Sequence, residues 1–459
     1  MATSKQQKNT TAVGARLQDP PRAVYEWKLH ASMAGLSLAL LFSALESTII
    51  STSLITIGNT FGDYANIEWV VTSYLVTYSS FLLSYAKLTD TLGQRNVLLF
   101  ALVWFAVFSW LCGASQSMSL THLIVFRALQ GIGGSGIYSV VFIALVDICP
   151  ARWFGMYSGV VSSTFAIANA MGPTIGGAIC DKGEWKWIFL LNVPGAAIAA
   201  ILLLLCFPGG DSKPLTWRNV ARIDYVGAFL SVGSAALLLY GLQSGGADYA
   251  WSSPRIIATI VAGIVGIAFF FAFEYYLARF GNLQMIDPIF PVRLLSNPRV
   301  VILLLCAFSQ GCVFYATVVN IPQLNQITHG TSASQAGYGY ETILGFGLGL
   351  GMPAFLVLGR IEVADRDNAS IMGSVNSSRT MGGCIALSFS LQDLIVRQNY
   401  AESYQLQWVT ITALGAVAVI ASLGPVMLSN IKPDFPEKPV NIQLESPGES
   451  SEVRVNSKS

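Results

Sequence analysis

The chain has 459 residues, of which 53% are hydrophobic and 11% are charged, and its mean hydropathy is +0.57. Soluble domains carry about 25% charged residues, so this composition excludes an ordinary soluble domain and predicts an all-α, multi-pass membrane protein. The net charge of +1 gives no reason to expect a nucleic-acid partner. The seven cysteines lack zinc spacing and lie within or beside apolar runs, which favours neither a metal site nor a disulfide framework.

Twelve apolar runs are long enough to cross a membrane, since a transmembrane helix needs about 20 mostly apolar residues. The runs occupy residues 31–57, 68–86, 97–114, 121–147, 154–179, 187–207, 225–243, 256–278, 300–322, 341–359, 369–391 and 406–428. The run at 369–391 is the weakest of them, because it contains Arg379 and several serines. Polar tails at 1–30 and 431–459 are predicted to be disordered.

The distribution of lysine and arginine predicts the orientation of the chain in the membrane. With both termini in the cytoplasm, twenty of the 26 basic residues lie inside, four lie outside, and Arg127 and Arg379 lie within runs. Cytoplasmic segments of membrane proteins carry the excess of Lys and Arg. We therefore predict cytoplasmic termini and a location in the plasma membrane, with a vacuolar or vesicle membrane as the alternative.

The first run contains one acidic residue, Glu46, close to its middle. An ionisable side chain at that depth is costly and marks a functional candidate. Loss of water favours the protonated form of a carboxyl group, which would let Glu46 load and release a proton. The alternative is a carboxyl group that hydrogen-bonds neighbouring helices and serves packing alone.

Aromatic residues of the second run, Trp69, Tyr74 and Tyr78, could line a cavity by stacking on a planar substrate. Such residues more often pack the bundle or lie at the membrane interface. The next segment reads A-K-L-T-D-T-L-G-Q-R and ends at Arg95. Gly93 permits a tight turn, while Asp90 and Arg95 can pair or cap neighbouring helices; an ordinary polar loop is the alternative.

The fourth run carries Arg127, followed by the glycine-rich sequence G-I-G-G-S-G. An arginine inside lipid must face the bundle and find a partner, unless it lies near the helix end and extends its charge to the interface. The glycines predict a face on which a neighbouring helix packs closely. They do not form a dinucleotide-binding loop, because they lie inside an apolar helix.

Residues 167–194 contain two adjoining patterns. The first places Gly172, Pro173, Gly176 and Gly177 inside an apolar run, which a membrane bundle tolerates because small residues let helix backbones approach. The second reads W-K-W-I-F-L-L-N-V-P. In tandem they resemble the signature of the drug:proton antiporters of the major facilitator superfamily, in which the first pattern lies on the fifth span and the second opens the sixth.

Other segments resemble the same family, particularly its fungal toxin and drug efflux pumps. Glu46 stands where the family usually has Asp, and Asp90, Gly93 and Arg95 match its cytoplasmic gating loop. Arg127 matches an arginine that takes part in proton transfer. The departures from the family patterns are Thr56, Ala86, Thr91 and Lys186.

The resemblance implies two helical bundles joined by two extra central helices, as in the fourteen-span branch. The implied divisions are an N-terminal bundle at 31–208, a linker with the extra pair at 209–298 and a C-terminal bundle at 299–430. Two spans of the C-terminal bundle are missing between Gly337 and Tyr340, about 50–60 residues by length. We therefore expect an incomplete bundle of four helices there and weak or no transport by this chain.

The predicted function is proton-coupled efflux of a small amphipathic molecule, such as a secondary metabolite, toxin or drug. A proton-driven importer and a transporter-like receptor without transport activity remain alternatives. The predicted partners are this substrate, protons and the lipid bilayer, and the predicted state is a monomer. The sequence shows no cofactor motif and no nucleophile–base pair, so we predict a protein that is not an enzyme and needs no cofactor.

Overall fold

The computed structural model describes residues 26–63, 66–67, 69–207, 224–246, 249–280, 288–329, 355, 358–359, 363 and 367–395. Within these residues the regular structure is helical, apart from one isolated bridge between Gly245 and Tyr249. The all-α prediction is therefore confirmed for the described part of the chain.

The helices follow one another with short connections. The α-helices are α1 (Glu26–Ile49), α2 (Leu54–Phe61), α3 (Trp69–Leu92), α4 (Gln94–Ala114), α5 (Leu120–Ile148), α6 (Ala151–Cys180), α7 (Lys186–Leu190), α8 (Asn192–Cys206), α9 (Tyr225–Ser244), α10 (Pro254–Phe280), α11 (Pro298–His329) and α12 (Asn368–Ile395). Three 3₁₀ turns lie at Ile50–Thr52, Ser115–Ser117 and Val292–Ser296.

The helices coincide with the first nine predicted runs and with the run at 369–391. The last predicted run, 406–428, and most of the run at 341–359 lie outside the described residues. So does the Gly337–Tyr340 junction, where two spans are predicted to be missing. The incomplete C-terminal bundle therefore stays a prediction.

Seven helical segments of the described chain are long and apolar enough to cross a membrane. They are Glu26–Ile49, Gln94–Ser117, Leu120–Ile148, Lys186–Cys206, Tyr225–Ser244, Pro254–Arg279 and Pro298–Thr317. The helices α3, α6 and α12 match them in length but contain more Ser, Thr, Asn and Gly. For α3 the reason is its position, because most of its side chains are buried among other helices.

The lipid-facing side of the bundle is visible on α4. Its large exposed side chains are three or four residues apart and therefore share one face of the helix; they are Phe100, Val103, Val107 and Trp110. Buried Leu98, Ala101 and Phe105 alternate with them on the side that faces the protein. An apolar outer face of this kind suits a hydrocarbon environment.

Glycines of α5 allow three helices to pack closely. A Cβ atom on Gly133 would lie 2.7 Å from the backbone nitrogen of Phe105 on α4, and one on Gly131 would lie 2.5 Å from the carbonyl oxygen of Tyr74 on α3. On Gly136 it would meet the Ala101 methyl group at 2.7 Å. The glycine-rich packing face predicted from the sequence is thus present and serves both neighbours of α5.

The Gly-Pro segment of α6 packs against the end of α1. A Cβ atom on Gly172 would lie 2.9 Å from Cβ of Thr48, and one on Gly176 would lie 2.7 Å from Oγ1 of Thr52. Thr52 Oγ1 also donates a hydrogen bond to the Pro173 carbonyl oxygen at 3.3 Å. Gly177 is buried on the same helix. These four residues therefore form a contact between the first and fifth predicted runs.

This contact gives the first testable expectation. Gly176→Leu should overpack the α1–α6 interface and destabilise the protein by about 1–3 kcal/mol or more, with a parallel loss of transport. Gly159→Leu is the matched control, because an added Cβ at Gly159 on the same helix meets no atom within 4 Å. Thermal unfolding of both purified variants checks the difference; equal stability would contradict a packed interface at Gly176.

The extra helices and α12 lie where the two halves meet. The hairpin of α9 and α10 packs on α3 and on α12, while α11 packs along α12. In turn, α12 contacts α3 and α5 of the N-terminal half. The described C-terminal helices thus meet the N-terminal bundle chiefly through α12.

Candidate functional site

The structure brings Glu46 and Arg127 together. Glu46 lies on α1 and Arg127 lies on α5, 81 residues apart in sequence, and Arg127 NH1 forms an ion pair with Glu46 Oε1. Both side chains are fully buried. Burial of an isolated charge is very unfavourable, so the pairing explains how the two tolerate this position.

Two amides and a hydroxyl group complete the cluster around the ion pair. Asn192, at the start of α8, donates through Nδ2 to Glu46 Oε2. Arg127 NH1 also donates to Gln130 Oε1 at 2.9 Å, and Gln130 Nε2 donates to Ser109 Oγ at 2.5 Å. Four helices, α1, α4, α5 and α8, therefore converge on one carboxyl group.

The arginine has further partners on α3. Arg127 Nε donates to the Val70 carbonyl oxygen at 2.9 Å, and the guanidinium carbon lies 4.3 Å from the centre of the Tyr74 ring. The Phe189 ring lies 5.5 Å away on the other side. Arg127 does not reach toward a membrane interface, so the alternative of an arginine that extends its charge to the surface does not describe its position.

This arrangement can bind and release a proton at the carboxyl group. Protonation of Glu46 would remove the negative charge and weaken its ion pair with Arg127, while Gln130, Val70 and the Tyr74 ring would still hold the guanidinium group. Arg127 NH2 has no hydrogen-bond partner among the described residues. A change of charge at Glu46 is therefore felt directly by α3, α5 and α8.

The segment from Asp90 to Arg95 differs from the predicted loop. The helix α3 continues through Asp90 to Leu92, and Gly93 alone separates it from α4. Gly93 has φ of 82°, the conformation that favours glycine, so the predicted tight turn is present. A helix forms because Lys87 Nζ pairs with Asp90 Oδ2 at 3.1 Å, one turn away on the same face.

Arg95 acts on a different helix. It donates through NH2 to the carbonyl oxygen of Leu204, near the C-terminal end of α8. A cation at a helix C-terminus interacts favourably with the free carbonyl groups there. Of the two sequence-based options for Arg95, capping of a neighbouring helix is therefore the one in the structure. Its predicted role in gating stays a prediction.

The three aromatic residues predicted to line a cavity are in two places. Tyr74 and Tyr78 are buried and stacked, with ring centres 5.5 Å apart. The Trp69 ring instead packs against Tyr240 of the extra helix α9 at 5.6 Å. The structure thus brings Tyr74 and Tyr78 to the arginine cluster but places Trp69 at a helix–helix contact.

Sequence reasoning missed several buried polar residues. Gln130 stands one turn after Arg127, and Asn192 is the asparagine of the W-K-W-I-F-L-L-N-V-P pattern, so spacing and motif were both available signals. Glu274, near the end of α10, is fully buried as well. Its Oε1 accepts hydrogen bonds from the backbone nitrogens of Ile289 at 3.1 Å and Phe290 at 3.3 Å, which gives it a structural role.

Comparison with known proteins agrees with this arrangement. A family profile described as Major Facilitator Superfamily matches residues 36–429. The chain is 36% identical over 451 residues to the MFS-type transporter FPY5 of Fusarium mangiferae, covering 82% of this chain and 74% of that protein. It is 33% identical over 304 residues to Multidrug resistance protein 3 of Bacillus subtilis, covering 66% and 56%. With Efflux pump dotC of Dothistroma septosporum it shares 32% over 306 residues, covering 67% and 51%.

Proposed function

The chain belongs to the Major Facilitator Superfamily, and we propose that it serves there as a proton-coupled exporter of a small amphipathic secondary metabolite, toxin or drug. Membership identifies a multi-pass membrane protein of a transporter family, not an enzyme, as the sequence predicts. The observation that carries the proposal is the buried Glu46–Arg127 ion pair, held by Asn192 and Gln130. In lipid, such a buried charged pair is a functional candidate by default.

The proposed cycle uses the ion pair as the proton carrier. When the site opens to the outside, Glu46 takes up a proton, and its bond to Arg127 weakens. When the site opens to the cytoplasm, Glu46 loses the proton, and the pair forms again. Arg127 connects this event to α3 through Val70 and Tyr74, so protonation can bias the movement of the two halves that alternating access requires.

Export in particular is supported by the relatives and by the Gly-Pro segment. Efflux pump dotC and Multidrug resistance protein 3 carry export or resistance in their names. The fivefold excess of basic residues on one side supports cytoplasmic termini, with twenty against four. We place the protein in the plasma membrane as a monomer; a vacuolar or vesicle membrane is the alternative location.

One observation favours a second candidate function. The chain spans 56% of Multidrug resistance protein 3 and 51% of Efflux pump dotC, little more than half the length of either protein. If two C-terminal spans are missing, the protein would bind its ligand and protons in the N-terminal half without moving the ligand efficiently. A transporter-like receptor would behave in this way.

An efflux assay separates these functions. Yeast cells that lack their own efflux pumps would express the full chain, be loaded with ethidium or fluorescein and be energised with glucose. We expect dye efflux above that of control cells, and we expect a protonophore to abolish it. Efflux that persists with the protonophore would contradict proton coupling, dye accumulation would favour an importer, and dye binding without flux would favour a receptor.

A further inference from the structure

A second arginine is buried where the two halves of the bundle meet. Arg379 of α12 is 1% exposed and donates through NH2 to the Tyr138 hydroxyl oxygen on α5 at 2.8 Å. Its Nε and NH1 atoms have no hydrogen-bond partner among the described residues. In the same part of the chain, no carboxylate forms an ion pair with Arg379. A buried arginine without a counter-charge is costly and requires an explanation.

Aromatic rings surround the Arg379 guanidinium group. Its central carbon lies 5.4 Å from the Tyr138 ring centre and 5.5 Å from that of Phe165, both in the N-terminal half. The Phe314 and Tyr315 rings of α11 lie at 5.5 Å and 5.9 Å. Aromatic faces attract a cation, so they help to hold the guanidinium group, but they leave its positive charge uncompensated.

A second unsatisfied side chain lies one turn earlier on α12. Asn376 is fully buried, and both Nδ2 and Oδ1 lack hydrogen-bond partners among the described residues. Residues three apart lie on the same side of a helix, so Asn376 and Arg379 are neighbours. Together they present unused donors and an unused acceptor to the interior of the bundle.

The backbone that carries Arg379 is held firmly against α11. A Cβ atom on Gly311 would lie 3.0 Å from the Arg379 Cα atom, and one on Gly383 would lie 2.7 Å from Cγ of Tyr315. The close approach fixes the arginine and the Tyr315 ring relative to each other. The unsatisfied polar groups therefore belong to a packed interface and not to a loose helix end.

We propose that Arg379, Asn376 and the rings around them bind the transported molecule, and that this molecule is an aromatic organic anion bearing a carboxylate or a similar acidic group. The proposal rests on the transport function proposed above. An anion would supply the missing counter-charge through charge-assisted hydrogen bonds to Nε and NH1, and its planar part would stack on the rings. Because the rings come from both halves, movement of one half would open the site.

The proposed anion site is in contact with the proton site. The Tyr74 ring, which lies over Arg127, stacks on Tyr78 at 5.5 Å. The Tyr78 ring then meets that of Tyr138 at 5.9 Å, and Tyr138 accepts the hydrogen bond from Arg379. A continuous row of three tyrosines thus joins the two arginines, which places proton and anion binding within one packed unit.

The test compares two dyes that share a three-ring skeleton. Fluorescein is a carboxylate anion, whereas rhodamine 123 is a cation, and binding of each to the purified full chain in detergent is measured by fluorescence anisotropy. We expect Arg379→Gln to weaken fluorescein binding roughly tenfold or more, as loss of hydrogen bonds to a charged group does, and to leave rhodamine 123 binding unchanged. Arg379→Lys should retain part of the affinity because it keeps the charge.

The matched control is Arg255→Gln, an exposed arginine at the start of α10, which should bind both dyes like the wild type. Arg379→Gln should unfold at the same temperature as the wild type or a higher one, because it removes an uncompensated charge. Wild-type fluorescein affinity in Arg379→Gln would overturn the proposal, as would failure of the wild-type chain to bind fluorescein. Collapse of Arg379→Gln with full affinity in Arg379→Lys would assign the residue to stability and overturn it too.

The binding assay needs no proton gradient and no transport. Failure of dye efflux with intact, Arg379-dependent fluorescein binding would count against the exporter function alone. Proton-driven efflux of ethidium with no Arg379-dependent fluorescein binding would count against the anion site alone. The two proposals can therefore fail separately.

Discussion

Glu46→Gln is expected to reduce proton-driven export to background while the protein remains folded and inserted in the membrane. Glutamine is close in size to glutamate and can still accept the hydrogen bond from Asn192 through its amide oxygen. It can neither bind nor release a proton, so the ion pair with Arg127 can no longer form and break during the cycle. Initial rates of dye efflux from energised cells, normalised to the amount of protein in the membrane, measure the loss.

Glu274→Gln is the matched control for this experiment. Glu274 is also a fully buried glutamate in an apolar helix, but it accepts two backbone hydrogen bonds through a single oxygen, which a glutamine side chain can also accept. We expect this variant to keep protonophore-sensitive efflux. A similar loss in both variants would show that any buried carboxylate is needed for folding, and normal efflux with normal pH dependence in Glu46→Gln would contradict the assignment.

Arg127→Ala is expected to lower both stability and transport. The change removes the counter-charge of Glu46 together with the bonds to Val70 and Gln130 and the contact with the Tyr74 ring. Removal of one partner of a buried ion pair destabilises a protein by about 3–5 kcal/mol. Thermal unfolding of the purified chain in detergent measures the change in stability, and dye efflux measures the change in transport.

Two further variants identify the cause of the effect. Arg127→Lys should restore part of the stability and transport, because it keeps the charge but loses the planar arrangement of donors. The double variant Glu46→Gln with Arg127→Gln should be destabilised less than the sum of the single variants, because it leaves no unpaired charge. Strict additivity in this cycle, or normal transport by Arg127→Ala, would contradict a functional ion pair.

The sequence alone predicted the helical elements and two of the central residues, but not their partnership. Glu46 and Arg127 were each conspicuous because an ionisable residue interrupts an apolar run. Their pairing depends on how α1 packs beside α5, and 81 residues separate them. No local pattern encodes that distance, so periodicity could place both residues in a bundle but could not bring them together.

Other features of the site depend equally on tertiary packing. Arg379 made its run look weak as a membrane span, whereas the structure surrounds it with rings from α5, α6 and α11. Asp90 was expected in a loop but pairs with Lys87 on the last turns of α3. By contrast, Gly93 was predicted correctly, because a tight turn between two helices has a local cause in backbone conformation.

Proton movement caused by the substrate tests the central claim most directly. The purified full chain would be reconstituted into vesicles with an acidic lumen that contains the pH indicator pyranine, and ethidium or fluorescein would be added outside. The wild-type chain should release lumenal protons when a dye is added, and Glu46→Gln should bind the dye without releasing protons. Dye uptake without proton release by the wild-type chain, or equal proton release by the wild type and Glu46→Gln, would contradict proton coupling through Glu46.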